Sequence, residues 1–120
     1  MASELDEFLA AHASLTTRQI ECVSLQVSAK NRLGGRSQSE RPHVIAGVTE
    51  GAYYRVLEQA RRNIDQAVYT MLLCSRMGIL QAEDLRRLVN LMAKTPFEDV
   101  QASKEVISLI DALVRKIVML

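Results

Sequence analysis

The sequence has few of the residues that build disulfide scaffolds, metal centres and membrane spans. Its 120 residues include two cysteines, two histidines, two prolines and no tryptophan. Cys22 and Cys74 lie far apart in the chain and are expected to be buried free thiols. No apolar run approaches the roughly 20 residues of a membrane span, and the acidic first residues do not resemble a secretion signal. We therefore expect a cytoplasmic protein that makes no contact with membranes.

A catalytic or metal site is not expected either. His12 and His43 do not lie at metal-ligand spacing from a cysteine or carboxylate pair. Gly34 and Gly35 are not part of a phosphate-binding motif. No nucleophile, base and orienting group fall into one cluster. The expected protein is not an enzyme and uses no metal and no cofactor.

Helical periodicity is the main feature that the chain does have. Hydrophobic residues make up 48% of the composition and recur at spacings of three and four rather than two. This pattern predicts an all-α fold in a single domain, 1–120. The first predicted helix begins near Ser3. The next three span about 17–29, about 49–77 and about 82–94, and the last runs from Pro96 to near Met119.

The net charge of +1 hides a basic middle section. Residues 1–17 carry three acids and no base, 18–62 carry eight bases and four acids, and 63–120 carry seven of each. A local excess of positive charge attracts anionic partners. The segment 30–43 holds four of these bases with two glycines and a proline. It is either a solvated loop or a loop that contacts phosphates.

The stretch from Gly47 to Ile64 combines a turn with the start of a helix. Gly47 suits a tight turn and Thr49 is a favourable N-cap. One stripe behind the cap is apolar and expected to be buried: Tyr53, Val56, Leu57, Ala60 and Ile64. The other side is expected to be exposed: Tyr54, Arg55, Glu58, Arg61 and Arg62. Such a helix suits insertion into a DNA groove.

Two segments then resemble the ends of a helix-turn-helix of the sigma-factor region-4 or response-regulator output type. They are Leu15-Thr16-Thr17-Arg18-Gln19-Ile20-Glu21 and Gly47-Val48-Thr49-Glu50-Gly51-Ala52-Tyr53-Tyr54-Arg55-Val56-Leu57-Glu58-Gln59-Ala60-Arg61. The resemblance covers residues 15–64. It implies buried places for Tyr53, Leu57 and Ala60, groove-facing places for Glu50, Gly51, Tyr54, Arg55 and Glu58, and a backbone contact for Arg61.

The supporting helix of that family carries an Ile-Ala pair in the core, ahead of the turn. Pro42 and His43 stand at this place if the turn length is kept. Ile45-Ala46 would supply the pair but would leave the turn too short. The groove-entering helix is therefore the better-matched half of the motif.

These observations predict a transcriptional regulator or chromatin-associated protein that binds double-stranded DNA through a recognition helix at 49–64. The helical pattern and the resemblance together indicate which side chains and helix ends are suited to contact base edges and phosphates. The predicted DNA-binding residues are Lys30, Arg32, Arg36, Arg41, Thr49, Glu50, Tyr54, Arg55, Glu58, Arg61 and Arg62.

The final helix has a wide apolar stripe that includes Val100, Ile107, Ile110, Val114 and Ile117. Burial in the core of one chain would explain the stripe, but we favour pairing of part of it with a second copy. The segment 65–120 is accordingly expected to be a helical extension that forms a homodimer through the C-terminal helices. The alternative function is a helical protein–protein interaction module without nucleic-acid binding, in which the arginines form a solvated face.

Overall fold

The computed structural model of the chain describes residues 4–31, 40–94 and 100–118. Within these ranges the chain forms helices and no strand, so the expected all-α fold is confirmed. The helices are α1 (Glu4–His12), α2 (Thr17–Asn31), α3 (Pro42–Ala46), α4 (Glu50–Arg76), α5 (Ala82–Lys94) and α6 (Val100–Ile117).

Local capping explains where α2 begins. The hydroxyl of Thr16 accepts the N–H of Gln19 at 3.1 Å, and the side-chain oxygen of Gln19 accepts the N–H of Thr16 at 3.1 Å. This reciprocal pair is a capping box, which satisfies two N–H groups that the first turn of a helix leaves free. The predicted start near residue 17 is confirmed.

The short helix α3 was not among the predicted helices, because Pro42 was assigned to a loop over 30–43. Pro42 stands in the first turn of α3, where its fixed φ suits the helix and its missing N–H is not needed. The greater part of that loop, 32–39, lies outside the described residues. The predicted helix start at Thr95-Pro96 lies outside them as well.

Contacts divide the chain into two compact units. The middle unit, Ser14–Gln66, contains α2, α3 and the first part of α4. The second unit combines Met1–Ala13 with Ala67–Leu120. The middle unit nearly coincides with the segment 15–64 that resembles a helix-turn-helix. With its 27 residues, α4 continues beyond the middle unit into the second one.

The core of the second unit lies against α6. Its buried side chains are Leu5 of α1, Leu88 of α5, and Val106, Ile110 and Ile117 of α6. The central seam of the final helix is therefore filled by α1 and α5 of the same chain. Side chains beside that seam, such as Leu109 and Val114, remain about half exposed. Pairing of this remaining surface with a second copy stays a prediction.

The part of α4 that belongs to the second unit leaves its apolar side chains uncovered. Val68, Met71 and Leu72 continue the apolar stripe of the first part, yet all three are exposed. No helix in the described ranges is long and apolar enough to cross a lipid bilayer.

Candidate nucleic-acid interface

Tyr53 anchors the start of α4 to α2. Its side chain is only 1% exposed, and its hydroxyl lies 3.1 Å from the carbonyl oxygen of Cys22 and 2.9 Å from Oε1 of Gln26. A buried tyrosine hydroxyl needs such acceptors, because an unpaired one would lose its hydrogen bond to water. The buried place that the resemblance implies for Tyr53 agrees with this packing, and Ala60 is likewise fully buried.

Cys22 lies beneath this anchor and is fully buried. Removal from water disfavours the thiolate, so burial raises the pKa of the Cys22 thiol, and the nearby Glu21 carboxylate raises this pKa further. The side chain is therefore a neutral, space-filling group in the middle unit. The expectation of a buried free thiol is confirmed for Cys22; Cys74 is also a free thiol but is only half-buried.

A second polar link joins α4 to the start of α2. Nδ2 of Asn63 donates to the carbonyl oxygen of Ser14 at 2.8 Å and lies 3.3 Å from Oε1 of Gln19. Gln19 is buried and already belongs to the capping box. Tyr53 and Asn63 thus fix α4 on α2 at two places ten residues apart in sequence.

The turn between α3 and α4 follows the prediction. Gly47 ends α3 with φ of 74°, in the left-handed region that glycine adopts without strain. Thr49 then caps α4, since its hydroxyl accepts the N–H of Ala52 at 3.1 Å. The guanidinium of Arg18 donates to the carbonyl oxygen of Ala46 at 3.1 Å, which holds the end of α3 on α2.

Two glycine substitutions test this turn. We expect Gly47→Ala to lower the free energy of unfolding by about 1–2 kcal/mol, because an L-residue is strained in the left-handed region. No atom lies within 4 Å of the added methyl group, so the backbone conformation alone is tested. Gly51→Ala is the matched control: the site is helical and open, and the change should be neutral or stabilising by up to about 1 kcal/mol. Equal effects of both changes in urea denaturation would contradict this account of the turn.

The helix α3 differs from the supporting helix that the resemblance implies. It has five residues, and Val44 and Ile45 are 41% and 58% exposed. Pro42 and His43 are half-buried. The structure therefore pairs a short α3 with a well-anchored α4. The Ile45-Ala46 pair does not occupy a buried core position as the family pattern requires.

The predicted exposed residues of α4 are indeed exposed, but they form two surfaces. Tyr54, Glu58 and Arg61 line a groove of about 460 Å³ between α2 and α4. Its other walls include Val23, Val27 and Lys30 of α2. Arg55 and Arg62 do not line this groove and share the outer side of α4, seven residues apart. We call the first set the groove surface and the second the outer surface.

The arginines of α4 differ in whether they form an ion pair with a nearby carboxylate. Arg62 pairs with Glu58 at 3.5 Å, and Arg61 approaches Asp65 at 4.0 Å. Both pairs are largely exposed, so each adds only tenths of a kcal/mol and opens easily. Arg55 has no carboxylate within ion-pair distance in the part of the chain that the structure describes. Its full charge is available to an anion.

The remaining predicted DNA-binding residues differ in exposure and in the contacts that they make. Lys30 is exposed near the end of α2, beside the groove surface, and Arg41 is exposed at the start of α3. Thr49 is engaged as the cap of α4, while Glu50 lies 4.0 Å from Nδ1 of His43 across the turn. Arg32 and Arg36 lie outside the described residues.

Several side chains that position this surface were not predicted. Gln26, Asn63 and Arg18 each make a contact at least 27 positions away in sequence. A sequence pattern signals local contacts, and the only local signal here was the capping box of Thr16 and Gln19. Within the described ranges, no three His, Cys, Asp or Glu side chains come close enough together to hold a metal ion.

No protein-family model, no curated protein and no solved structure matches this chain. The resemblance to a helix-turn-helix therefore depends on the residues of 15–64 alone.

Proposed function

We propose that the protein binds double-stranded DNA through the exposed side of α4 between Glu50 and Arg62, as a transcriptional regulator or chromatin-associated protein. The observation that carries the proposal is the construction of the α3–α4 turn. A glycine in the left-handed region and a threonine cap present the first turns of α4, and Tyr53 holds them from below. A rigid helix start with an open outer side is what groove recognition requires.

Charge and side-chain type support the same surface. Arg55 is exposed and unpaired among the described residues, and a guanidinium can donate two hydrogen bonds to the edge of guanine. Tyr54 is 54% exposed on the neighbouring side. Lys30, Arg41, Arg61 and Arg62 are exposed in the same unit and suit phosphates, as do the predicted contacts Arg32 and Arg36.

The proposed DNA-binding form is a homodimer that pairs through the C-terminal helices. Dimers of helix-turn-helix proteins present two recognition helices to two half-sites of one operator. The exposed apolar side chains of the second unit supply surface for such pairing.

A titration of labelled duplex DNA at increasing salt tests the proposal. We expect binding of random duplex at low salt, with the logarithm of the affinity falling by about 0.9 per phosphate contact for each unit of log salt. An affinity that does not change with salt concentration would contradict the predicted phosphate contacts. Absence of any duplex affinity at low salt would contradict DNA binding altogether.

The second candidate is a helical protein–protein interaction module. The observation that favours it is the groove between α2 and α4, whose lining includes the apolar side chains of Val27, Leu57 and Ile64. An amphipathic helix of a partner could lay apolar side chains into such a groove. Absence of any duplex affinity at low salt, in the titration described above, would favour this module over DNA binding.

A further inference from the structure

The second half of α4 exposes a dense group of apolar side chains. Five of the six side chains from 68 to 73 are large and hydrophobic, and their exposed fractions run from 39% to 72%. Tyr69 and Leu72 are among the most exposed, at 72% and 59%. Monomeric proteins rarely leave so dense an apolar patch in water, and such patches mark interaction sites.

Charges close this patch at both ends. No charged residue lies between Asp65 and Arg76, which are both exposed. Asp65, Tyr69, Leu72 and Arg76 follow one another at spacings of four, three and four. Residues at these spacings share one face of a helix and form the narrow seam of a coiled coil. We call these four residues the α4 seam; it spans about 16 Å along the helix axis.

The charged residues of the α4 seam are complementary to those of a second copy when the two helices run antiparallel. If two copies of α4 lie antiparallel with a two-fold axis between residues 70 and 71, Asp65 faces the partner's Arg76, and Arg76 faces the partner's Asp65. In the same register Tyr69 faces the partner's Leu72. A parallel pairing would instead place like charges side by side, which is unfavourable. The two-fold arrangement therefore forms two ion pairs around two apolar layers.

We propose that the α4 seam is the homodimer interface of this protein and that it pairs antiparallel with a second copy of itself. The proposal rests on the homodimer of the proposed function but not on its DNA contact. Within the helical extension 65–120 it places the pairing on the second half of α4 rather than on α6, because α1 and α5 of the same chain already cover Val106, Ile110 and Ile117 of α6. Val68 and Leu73 flank the seam and widen the apolar contact.

Sedimentation equilibrium of the full chain tests the location of the interface. We expect a species of twice 13.4 kDa for the unaltered chain. Leu72→Glu should weaken the dimer about 100-fold or more, because it brings an unpaired carboxylate into the apolar layer of both copies. Leu72 is largely exposed in one chain, so the variant should keep its helical circular dichroism.

Val89→Glu is the matched control for the apolar change. Val89 lies on α5 and is 51% exposed, close to the value of Leu72. This variant should dimerise within about threefold of the unaltered chain, since Val89 is not part of the α4 seam. A monomeric unaltered chain, or a dimer that tolerates Leu72→Glu, would overturn the proposal.

Charge reversal tests the antiparallel register. Asp65→Arg and Arg76→Asp should each weaken the homodimer about tenfold, because each variant sets like charges against one another in both symmetric contacts. An equimolar mixture of the two variants should restore a dimer, since every contact in the mixed pair is again between opposite charges. Repulsion between Arg61 and a new arginine at position 65 would persist in the mixture, so restoration cannot arise within one helix. Failure of the mixture to dimerise better than either variant alone would contradict this register.

The dimer and the DNA contact can fail separately. Leu72→Glu monomers that still bind random duplex, with weaker affinity for a two-half-site duplex, would support both proposals. A protein that dimerises but binds no duplex at low salt would support the α4 seam as the interface and contradict the proposed DNA binding. A monomeric unaltered chain that binds duplex would support the proposed DNA binding and contradict the α4 seam as a dimer interface.

Discussion

Replacing Tyr53 with alanine is expected to lower the free energy of unfolding of the middle unit by about 3–5 kcal/mol. The ring is 1% exposed, so its removal leaves a cavity between α2 and α4. The hydroxyl contacts to Cys22 and Gln26 are lost as well. Urea denaturation followed by circular dichroism measures the change. The loss is a large part of the stability of a small domain.

Tyr54→Ala is the control for this prediction, since Tyr54 is the next residue of the same helix but is 54% exposed. We expect it to change stability by less than about 1 kcal/mol. Tyr53→Phe removes the hydroxyl alone and should lower stability by about 1–2 kcal/mol. If Tyr53→Ala were as mild as Tyr54→Ala, α4 would not be anchored as described.

Arg55→Ala is expected to weaken binding to a selected duplex about five- to 150-fold, which corresponds to about 1–3 kcal/mol for one bidentate base contact. Binding to random duplex should fall much less, because phosphate contacts dominate there. The exposed position of Arg55 means that this substitution should leave the folded structure intact. Fluorescence anisotropy with both duplexes measures the ratio.

Arg115→Ala supplies the comparison for Arg55→Ala. Arg115 is exposed on α6, in the second unit, and pairs with Asp111 at 3.4 Å. Its loss should leave the preference for the selected duplex unchanged. Equal losses for the two variants would mean that Arg55 contributes only general positive charge and reads no base.

The helices were predictable because their signals are local. Thr16 with Gln19 and Gly47 with Thr49 mark the starts of α2 and α4, and Gly78, with a φ of 77°, follows the end of α4. The helices α2, α4 and α5 begin and end close to the predicted positions. The helix α3 was missed because Pro42 acts equally well as a loop residue or as a first-turn residue. The hydrogen bond from Arg18 to the carbonyl end of α3 comes from 28 positions away, and no local pattern signals it.

The exposure of the candidate site was predictable except at Ile64, which was expected to be buried and is 40% exposed. The division of the site into two surfaces was not predictable. Spacing alone separates the buried Tyr53 and Ala60 from the exposed Tyr54 and Arg55. The position of α2 beside α4 decides that Tyr54 borders a groove while Arg55 does not. That position comes from nonlocal contacts of Tyr53 and Asn63, which no pattern in one segment encodes.

The apolar residues of the two long C-terminal helices show the same limit. Periodicity marks both the seam of α6 and the second half of α4 as apolar, but it does not say which of them the chain covers. In the structure α1 and α5 cover Val106 and Ile110 of α6. Tyr69 and Leu72 of α4 stay exposed, so this surface, rather than the centre of α6, is open to a second copy.

A nuclear magnetic resonance titration of isotope-labelled protein with a short duplex at low salt tests the central claim most directly, because it maps the bound surface residue by residue. We predict the largest shifts for the backbone amides of Glu50 to Arg62, for the side-chain N–H of Arg55, and for residues near Lys30. Amides of α5 and α6 should move little. Shifts concentrated on α5 or α6, or no shifts at all, would contradict the assignment of DNA binding to the start of α4.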